Sequence, residues 1–202
     1  MSNKYQHNPD GTTFIFIESK KHGSKKILID TEDWDRLKGY TWSLSVIKRN
    51  GTCYAKTQIF HPDGGWIPCK RDGRRRRKTV LLLHHLILGK PKRGMVTDHI
   101  NHNGLDNRKE NLRFATLSQN AANCQKKKGT TSQYLGVSLY TRGEPMWHAK
   151  ISCNNKRIHI GYFICEHQAA LAYNKKAIEL HGEFANLNVV PQEYIIKYEG
   201  EV

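Results

Sequence analysis

The chain has 202 residues, and 33 lysines and arginines against 18 aspartates and glutamates give it a formal net charge of +15. That charge favours a polyanionic partner, and a hydrophobic content of 38% favours small modules over one large core. Apolar runs such as Val80–Leu83 are short and Met1–Gly11 is polar, so we predict neither a membrane span nor a signal peptide. The expected protein is soluble and intracellular, in the cytoplasm or nucleoid. Its five scattered cysteines predict neither a disulfide framework nor a cysteine zinc site.

The first third of the chain has the composition of β-structure. Thr13–Ile17 and Lys25–Asp30 are short apolar runs rich in β-branched residues, and the basic turn Lys20–Ser24 separates them. A short helix is predicted around Glu32–Leu37. The dipeptide Asn50-Gly51 favours a tight turn, which predicts a hairpin of the flanking strands 42–48 and 52–60.

A turn at His61–Gly65 is followed by the basic run Arg74–Lys78. Such a run is either a solvated segment or a phosphate contact, and the charge of the whole chain makes DNA contact a reasonable interpretation. The candidate DNA-binding residues here are Arg74, Arg75, Arg76 and Arg77.

The segment Lys126–Ser132 contains no apolar residue and has the composition of a flexible linker. Its lysines Lys126, Lys127 and Lys128 are further candidate phosphate contacts. Strands are predicted at 134–140, 147–153 and 156–163, the last two joined by the hairpin turn Asn154-Asn155. A helix over Glu166–His181 should end at Gly182.

Residues that could catalyse a reaction or bind a metal are concentrated in the polar segment Asp98–Asn120. Phosphodiester hydrolysis requires a base, a hard divalent cation on oxygen ligands, and a group that holds the base in the right tautomer. The residues that can supply this set are Asp98, His99, Asn111 and Asn120.

The local pattern around these residues is strand, loop, strand and helix. Strands are predicted at Val96–Ile100 and Leu112–Ala115, and Thr116-x-x-Gln119 is a capping box that opens a helix. Adjacent strand residues point to opposite faces, so Asp98 and His99 can share a site only if the strand ends or bends there.

The residues Asp98-His99-Ile100 with Asn107-Arg108-x-Glu110-Asn111-Leu112-Arg113 and Asn120 resemble the HNH endonucleases, and within them the homing branch. The resemblance covers roughly 80–125 and includes an upstream helix at Leu83–Ile87. It implies a ββα-metal fold with one divalent ion, Mg²⁺ or Mn²⁺, per active site. By position, His99 resembles the general base, Asn111 the residue that orients it, Asp98 and Asn120 the metal ligands, and Asn107 a brace of the loop. His84 and His85 are interpreted as structural, since they lie in an apolar stretch.

Alternation in the last third assigns one polar sheet face, provided that a bulge or twist lies near Ile158–Ile160. A basic, hydroxyl-bearing sheet face suits the major groove, and the opposite face would pack on an alanine-rich helix. The candidate DNA-binding residues are Ser138, Tyr140, His148, Lys150, Ser152, Arg157 and His159.

The residues Tyr134-x-Gly136-Val137, Trp147-x-Ala149, Ile160-Gly161-x-Phe163 and the alanine-rich helix resemble the plant ethylene-response-factor DNA-binding domain. That resemblance implies a three-stranded antiparallel sheet packed on one helix and DNA recognition by its strands. Several positions that are Arg or Trp in the plant domain are Ser or His here, so the plant target sequence is not carried over.

Together these observations predict an α+β protein with a β-rich region at 1–78, an HNH ββα-metal nuclease at 79–125, a linker at 126–132, a DNA-binding domain at 133–190 and a tail at 191–202. The predicted function is site-specific cleavage of double-stranded DNA, one strand per chain, by a monomer or weak dimer, in the manner of homing enzymes of viruses or mobile elements. A DNA-binding regulator with an inactive nuclease fold is the alternative, and an RNA-binding or ribosome-associated protein is a third reading that explains the charge but not the spacing.

Overall fold

The computed structural model describes residues 3–47, 51–69, 73–126, 129–154 and 156–199, with the backbone alone for 66–69, 73–76 and 197–199. Helices and strands are both abundant, as expected for an α+β protein. The chain divides into two compact units, Met1–Phe114 and Ala115–Val202. In the described part of the chain no helix combines the length and apolarity that crossing a membrane requires.

The first unit contains most of the strands. In chain order its elements are β1 (Tyr5–His7), β2 (Thr12–Ser19), β3 (Gly23–Asp30), α1 (Trp34–Leu37), β4 (Ser43–Val46), β5 (Cys53–Phe60), β6 (Trp66–Cys69), β7 (Gly73–Arg76), β8 (Lys78–Leu82), α2 (Leu83–Ile87), β9 (Met95–His99) and β10 (Leu112–Thr116), the last of which ends just beyond the unit boundary. The sheets have the strand orders β1-β2-β3, β4-β5-β8, β6-β7 and β10-β9.

One hydrophobic core joins the amino-terminal sheet to the polar segment that carries the nuclease pattern. Alternation along β2 buries Ile15 and Ile17, and β3 contributes Ile27 and Ile29. Leu105, from the loop after β9, belongs to the same cluster. The predicted boundary between residues 78 and 79 therefore does not separate two compact units, because residues on both sides of it share this core.

The local predictions for the first unit agree with most of its elements. The predicted hairpin forms, with β4 paired to β5, and the two β-rich runs on either side of the basic turn become the paired strands β2 and β3. The predicted helix at 32–37 begins as a 3-10 turn, Thr31–Asp33, and continues as α1. Strand β1, which contains polar Gln6 and His7, was not predicted. Asn50 of the hairpin turn lies outside the described residues.

The second unit contains α3 (Leu117–Ala122), β11 (Val137–Tyr140), β12 (Met146–Cys153), β13 (Lys156–Phe163), α4 (Glu166–His181) and α5 (Gln192–Glu199). Strands β11, β12 and β13 form an antiparallel sheet in that order. One face of this sheet packs on α4 through small side chains such as Ala149, Ala169 and Ala170, which are fully buried. Gly182 ends α4 with a positive φ of 54°.

Two predictions about the second unit have different outcomes. The bulge is confirmed: Ala149 pairs with Gly161 and Lys150 pairs with His159, which leaves Ile160 as the extra residue. The predicted linker is packed at its carboxy-terminal end, since Ser132 is buried and its hydroxyl bonds to Glu166 at 2.6 Å. The polar residues at this end of the segment form a hydrogen-bonded turn, because the Ser132 hydroxyl also accepts a hydrogen bond from the backbone N–H of Tyr134.

Candidate functional site

Strand β9 ends at the two residues that resemble a metal ligand and a general base. Asp98 and His99 are its last two positions, and both are 5% exposed. Ile100 follows in a turn, where its N–H donates to the carbonyl of Asn111 at 3.0 Å. Because the strand stops at His99, the alternation of a regular strand no longer forces the two side chains apart.

Asp98 is held as a buried ion pair. The Nε of Arg113, on the neighbouring strand β10, lies 2.9 Å from Oδ2 of Asp98, and Arg113 is itself mostly buried. A buried carboxylate needs such a partner, since an unpaired charge there would be costly. Arg113 is therefore the ion-pair partner of the buried Asp98 side chain, in the residue that precedes His99.

His99 is a neutral, largely buried imidazole. Burial lowers the pKa of His99 below its usual value, although Asn107 and Asp98 act in the opposite direction. Its Nε2 lies 3.4 Å from Oδ1 of Asn107, so a proton on Nε2 points to an amide oxygen. In that tautomer Nδ1 carries the lone pair, and it is the atom through which His99 can act as a base.

The two asparagines have different contacts from those implied by the resemblance. Asn111 bonds to the loop backbone: its Oδ1 accepts from Asn101 N at 2.9 Å, and its Nδ2 donates to Asp106 O at 2.7 Å. Asn107, the predicted brace, is the asparagine that faces the His99 ring. The geometry favours Asn107 as the residue that orients the His99 ring and Asn111 as the brace of the loop, because the side-chain amide of Asn111 is already hydrogen-bonded to the loop backbone.

Asp106 organises the loop between β9 and β10, a role that sequence reasoning missed. Its carboxylate accepts from Asn101 Nδ2 at 2.8 Å and from Arg108 at 2.8 and 2.9 Å. Burial raises the pKa of Asp106, but the hydrogen bonds and charge of Arg108 outweigh it and leave the pKa below its usual value. The Asp106 carboxylate therefore ties Asn101 and Arg108 of this loop together through hydrogen bonds.

Strand β3 also holds this loop. The N–H of Leu28 donates to Leu105 O at 2.9 Å, and the N–H of Asn107 donates to Leu28 O at 2.7 Å. Asp30, at the end of β3, accepts the N–H of Lys109 at 2.8 Å. The backbone of Asn107 is therefore fixed by a strand almost eighty residues earlier in the chain.

Aromatic rings form a wall around His99. The ring centroids of His84 and Tyr54 lie 5.2 and 5.5 Å from that of His99. Gly104 packs so closely on this wall that a Cβ there would lie 2.6 Å from the Tyr54 ring. His84 is buried, as a structural histidine should be, but its contact with His99 was not predicted. Its Nδ1 has no hydrogen-bond partner among the described residues.

Asn120, the second predicted metal ligand, lies in α3 in the second unit. The capping box that opens this helix is confirmed: Thr116 accepts the N–H of Gln119, and the Gln119 side chain accepts the N–H of Thr116. The pairing of Asn120 with Asp98 on one cation stays a prediction. Among the described residues no three His, Cys, Asp or Glu side chains are grouped as a metal site.

The predicted DNA-binding face of the second unit is assembled by strand register. Ser138 lies opposite His148, Lys150 opposite His159, and Ser152 opposite Arg157. Directly opposed residues project from the same side of a sheet. All seven predicted residues, including Tyr140 at the end of β11, are thereby on the face away from α4.

Aromatic side chains occupy the centre of this face, and one of them was missed. Tyr162 pairs with His148 and stacks on it, with ring centroids 4.9 Å apart. Nε2 of His148 lies 2.8 Å from Nδ1 of His159. The ring centroid of Tyr140 lies 5.0 Å from that of Tyr162. Alternation alone would have placed Tyr162 on the other face, and the bulge at Ile160 returns it to this one.

Among the predicted basic contacts outside the sheet, the structure describes the side chains of Arg77 and Lys126. Arg77 is exposed, and its backbone N–H donates to Gly65 O at 2.9 Å. Arg74, Arg75 and Arg76 lie in β7, and their side chains fall outside the described part of the chain. Lys126 is half-buried, whereas Lys127 and Lys128 are outside the described residues.

Residues 84–122 match the family model described as HNH endonuclease. Over 105 residues the chain is 39% identical to an uncharacterized HNH endonuclease of Acanthamoeba polyphaga mimivirus. This stretch covers 52% of this chain and 53% of the viral protein. A stretch of 67 residues is 34% identical to an AP2-like ethylene-responsive transcription factor of Arabidopsis thaliana, covering 33% of this chain and 14% of the factor. The chain thus spans about half the length of the viral relative and a small part of the plant one. Residues 84–122, which begin at His84 and include Asp98, His99, Asn111 and Asn120, therefore constitute an HNH endonuclease domain.

Proposed function

We propose that this protein is a site-specific, metal-dependent DNA endonuclease of the homing type. The observation that carries the proposal is His99, a buried neutral imidazole at the end of β9 with an amide oxygen at Nε2 and a carboxylate in the preceding residue. Such a group can accept a proton at neutral pH. The match of residues 84–122 to HNH endonucleases supports a nuclease in particular.

In the proposed mechanism His99 takes a proton from the attacking water at Nδ1. Asn107 holds the Nε2–H and so selects the tautomer, and Asn111 and Asp106 hold the loop that presents Asn107. Asp98 stabilises the imidazolium that forms, because its negative charge acts to raise the pKa of His99. The rings of Tyr54 and His84 keep water from the other sides of His99.

Asp98 and Asn120 are the proposed ligands of one Mg²⁺ or Mn²⁺ ion. Carboxylate and amide oxygens are donors that these hard cations accept, and the fit rests on that chemistry. When bound, the cation supplies the positive charge that stabilises the phosphate and its leaving oxygen. With one acidic ligand in the proposed set, water and DNA oxygens would complete the coordination.

The second unit is the proposed reader of double-stranded DNA. Its outer sheet face combines Lys150 and Arg157 with hydroxyl and imidazole groups, and a sheet is a rigid element that can enter the major groove. The similarity to a plant transcription factor agrees with this role over part of the chain. Residues 79–125, which include Asn120, would do the chemistry, and residues 133–190 would choose the sequence.

A DNA-binding regulator with an inactive nuclease fold is the second candidate. The partial similarity to a transcription factor favours it, because that protein is named for regulation rather than cleavage. A degenerate nuclease site would be expected to have lost its base or a ligand, and here Asp98, His99, Asn111 and Asn120 are all present.

The decisive experiment compares the wild-type protein with His99→Ala on a random-sequence DNA library with Mg²⁺ present. We expect cleavage to fall by about 10²- to 10⁴-fold while DNA affinity is retained. His61→Ala, in the turn after β5, is the matched control and should cut normally. Unimpaired cutting by His99→Ala would refute the assignment of the base, and a wild-type protein that binds but never cuts would favour the regulator.

One site per chain implies that one chain cuts one strand. A supercoiled plasmid that carries the selected site should pass through the nicked form before it becomes linear. Linear product from a demonstrated monomer in a single encounter would contradict this expectation.

A further inference from the structure

The turn of the β2–β3 hairpin is an exposed basic segment that the proposed chemistry does not use. Every residue from Lys20 to Lys26 is exposed, and the segment contains Lys20, Lys21, His22, Lys25 and Lys26. The strands pair without interruption from Thr12 opposite Asp30 to Ser19 opposite Gly23. The lysines are therefore mounted on a regular two-stranded ribbon.

Acidic side chains do not neutralise this ribbon. Four lysines and the single acid Glu18 give the nine residues Glu18–Lys26 a net charge of +3. The carboxylate of Glu18 accepts the hydroxyl of Ser24 instead of pairing with a lysine. Among the described residues no ion pair involves Lys20, Lys21, Lys25 or Lys26, whereas Lys38, Lys109 and Lys176 all have acidic partners.

Lys26 is held in place by aromatic rings. Its ammonium lies 5.1 Å from the centroid of the Phe14 ring and 5.5 Å from that of Phe16. The rings restrict the lysine without neutralising its charge. A cation that is already positioned loses less entropy when it binds an anion.

The same strand connects these lysines to the catalytic loop. Leu28 of β3 bonds to Leu105 and to Asn107, and Asn107 faces the His99 ring at 3.4 Å. From Leu28 to Gly23 an antiparallel strand extends about 17 Å. Since base pairs are stacked about 3.4 Å apart, the ribbon is long enough to follow about five base pairs.

We propose that the β2–β3 hairpin is a DNA-binding arm whose lysines contact backbone phosphates on one side of the scissile bond. The proposal rests on the proposed nuclease function for the position of that bond. Double-stranded DNA is the partner, because a two-stranded ribbon fits the major groove and its four exposed lysines, which have no ion pair among the described residues, attract the phosphates on either side of that groove. The arm contributes affinity and orientation, not sequence choice.

The test uses two double variants of the full chain, Lys20→Gln with Lys21→Gln at the tip and Lys25→Gln with Lys26→Gln at the root. The control pair is Lys38→Gln with Lys176→Gln, which removes the same charge from lysines that already have acidic partners. Affinity for a short duplex is measured against salt concentration without divalent metal, so no cleavage is needed. Thermal unfolding of each variant verifies its fold.

Each arm pair should lower the slope of log affinity against log salt by up to about 1.8, which is up to about 60-fold in affinity at 0.1 M salt. The control pair should change the slope much less. Hydroxyl-radical protection of the selected site should shrink on one side of the cut in the arm variants. The proposal is overturned if the folded tip pair behaves as the control does, if the wild-type chain does not bind duplex DNA, or if the change occurs with duplex RNA alone. A chain that binds through the arm but never cuts would refute the nuclease and leave the arm established.

Discussion

Replacement of His84 by phenylalanine tests whether a neutral buried imidazole stands beside His99. Burial lowers the pKa of His84 to about 3, with smaller effects from His99 and His85. The unfolded chain should titrate near 6.5, so between these values the unfolded state binds more protons and stability falls as the pH falls. The contribution of His84 to the unfolding free energy is fully present above the pKa of the unfolded state, near 6.5, and is lost progressively as the pH falls towards 3.

The expected size follows from that difference in pKa. Between pH 7 and pH 5, His84 alone should cost the wild-type protein about 2 kcal/mol of unfolding free energy. The unfolding free energy of His84→Phe at a single pH is a poorer test. Removal of the buried Nδ1, which has no hydrogen-bond partner among the described residues, should stabilise the protein by about 1–3 kcal/mol, and overpacking by the larger ring should destabilise it by a similar amount. The pH dependence of stability separates the titration of His84 from these packing effects, since phenylalanine does not titrate.

The assay is urea unfolding of both proteins at pH 7 and pH 5. The wild-type protein should lose about 2 kcal/mol more than His84→Phe over this interval. His61→Phe serves as the control for removal of an imidazole that is not buried in the aromatic wall. Equal losses in the wild-type protein and His84→Phe would refute the inference that His84 is buried and neutral next to His99.

Three further changes have defined outcomes. Gly104→Ala places a Cβ 2.4 Å from the carbonyl oxygen of Cys53, so it should destabilise the protein by about 1–3 kcal/mol in urea unfolding and slow cleavage; normal values for both would contradict the packing of this loop. Gly136→Ala, at φ +74° and 2.2 Å from the Tyr173 ring, should destabilise the second unit by at least about 2 kcal/mol and weaken DNA binding, as gel-shift titration would show. Arg157→Gln should cost about 1–3 kcal/mol of specific binding and relax the preference at one position of the selected site; a uniform loss across sequences would instead indicate a phosphate contact.

Features that depend on neighbours in sequence were predictable. The capping box of Thr116 and Gln119 forms because its two hydrogen bonds span only three residues. The helix α4 was predicted with its observed bounds, since its start, alanine face and terminal glycine are all local signals. The bulge near Ile160 followed from the need to keep two sets of side chains on opposite faces.

The contacts of Asn107 and Asn111 could not be predicted in this way. Both residues lie in an irregular loop, where no periodicity relates chain position to direction. The loop takes its path from pairing with Leu28, and that pairing turns Asn107 towards His99 while Asn111 is used on Asn101 and Asp106.

Spacing, alternation and residue chemistry in the chain were sufficient for the α+β class, the nuclease pattern at Asp98–Asn120 and the polar face of the carboxy-terminal sheet. These depend on hydrogen-bond geometry over a few residues or on a strand period of two. The tertiary structure alone decided that the rings of His84 and Tyr54 lie next to His99, and that β3 supports the loop between β9 and β10. Those contacts join strands and helices far apart in the chain, and they form because Leu105 is buried in the same core as Ile27 and Ile29.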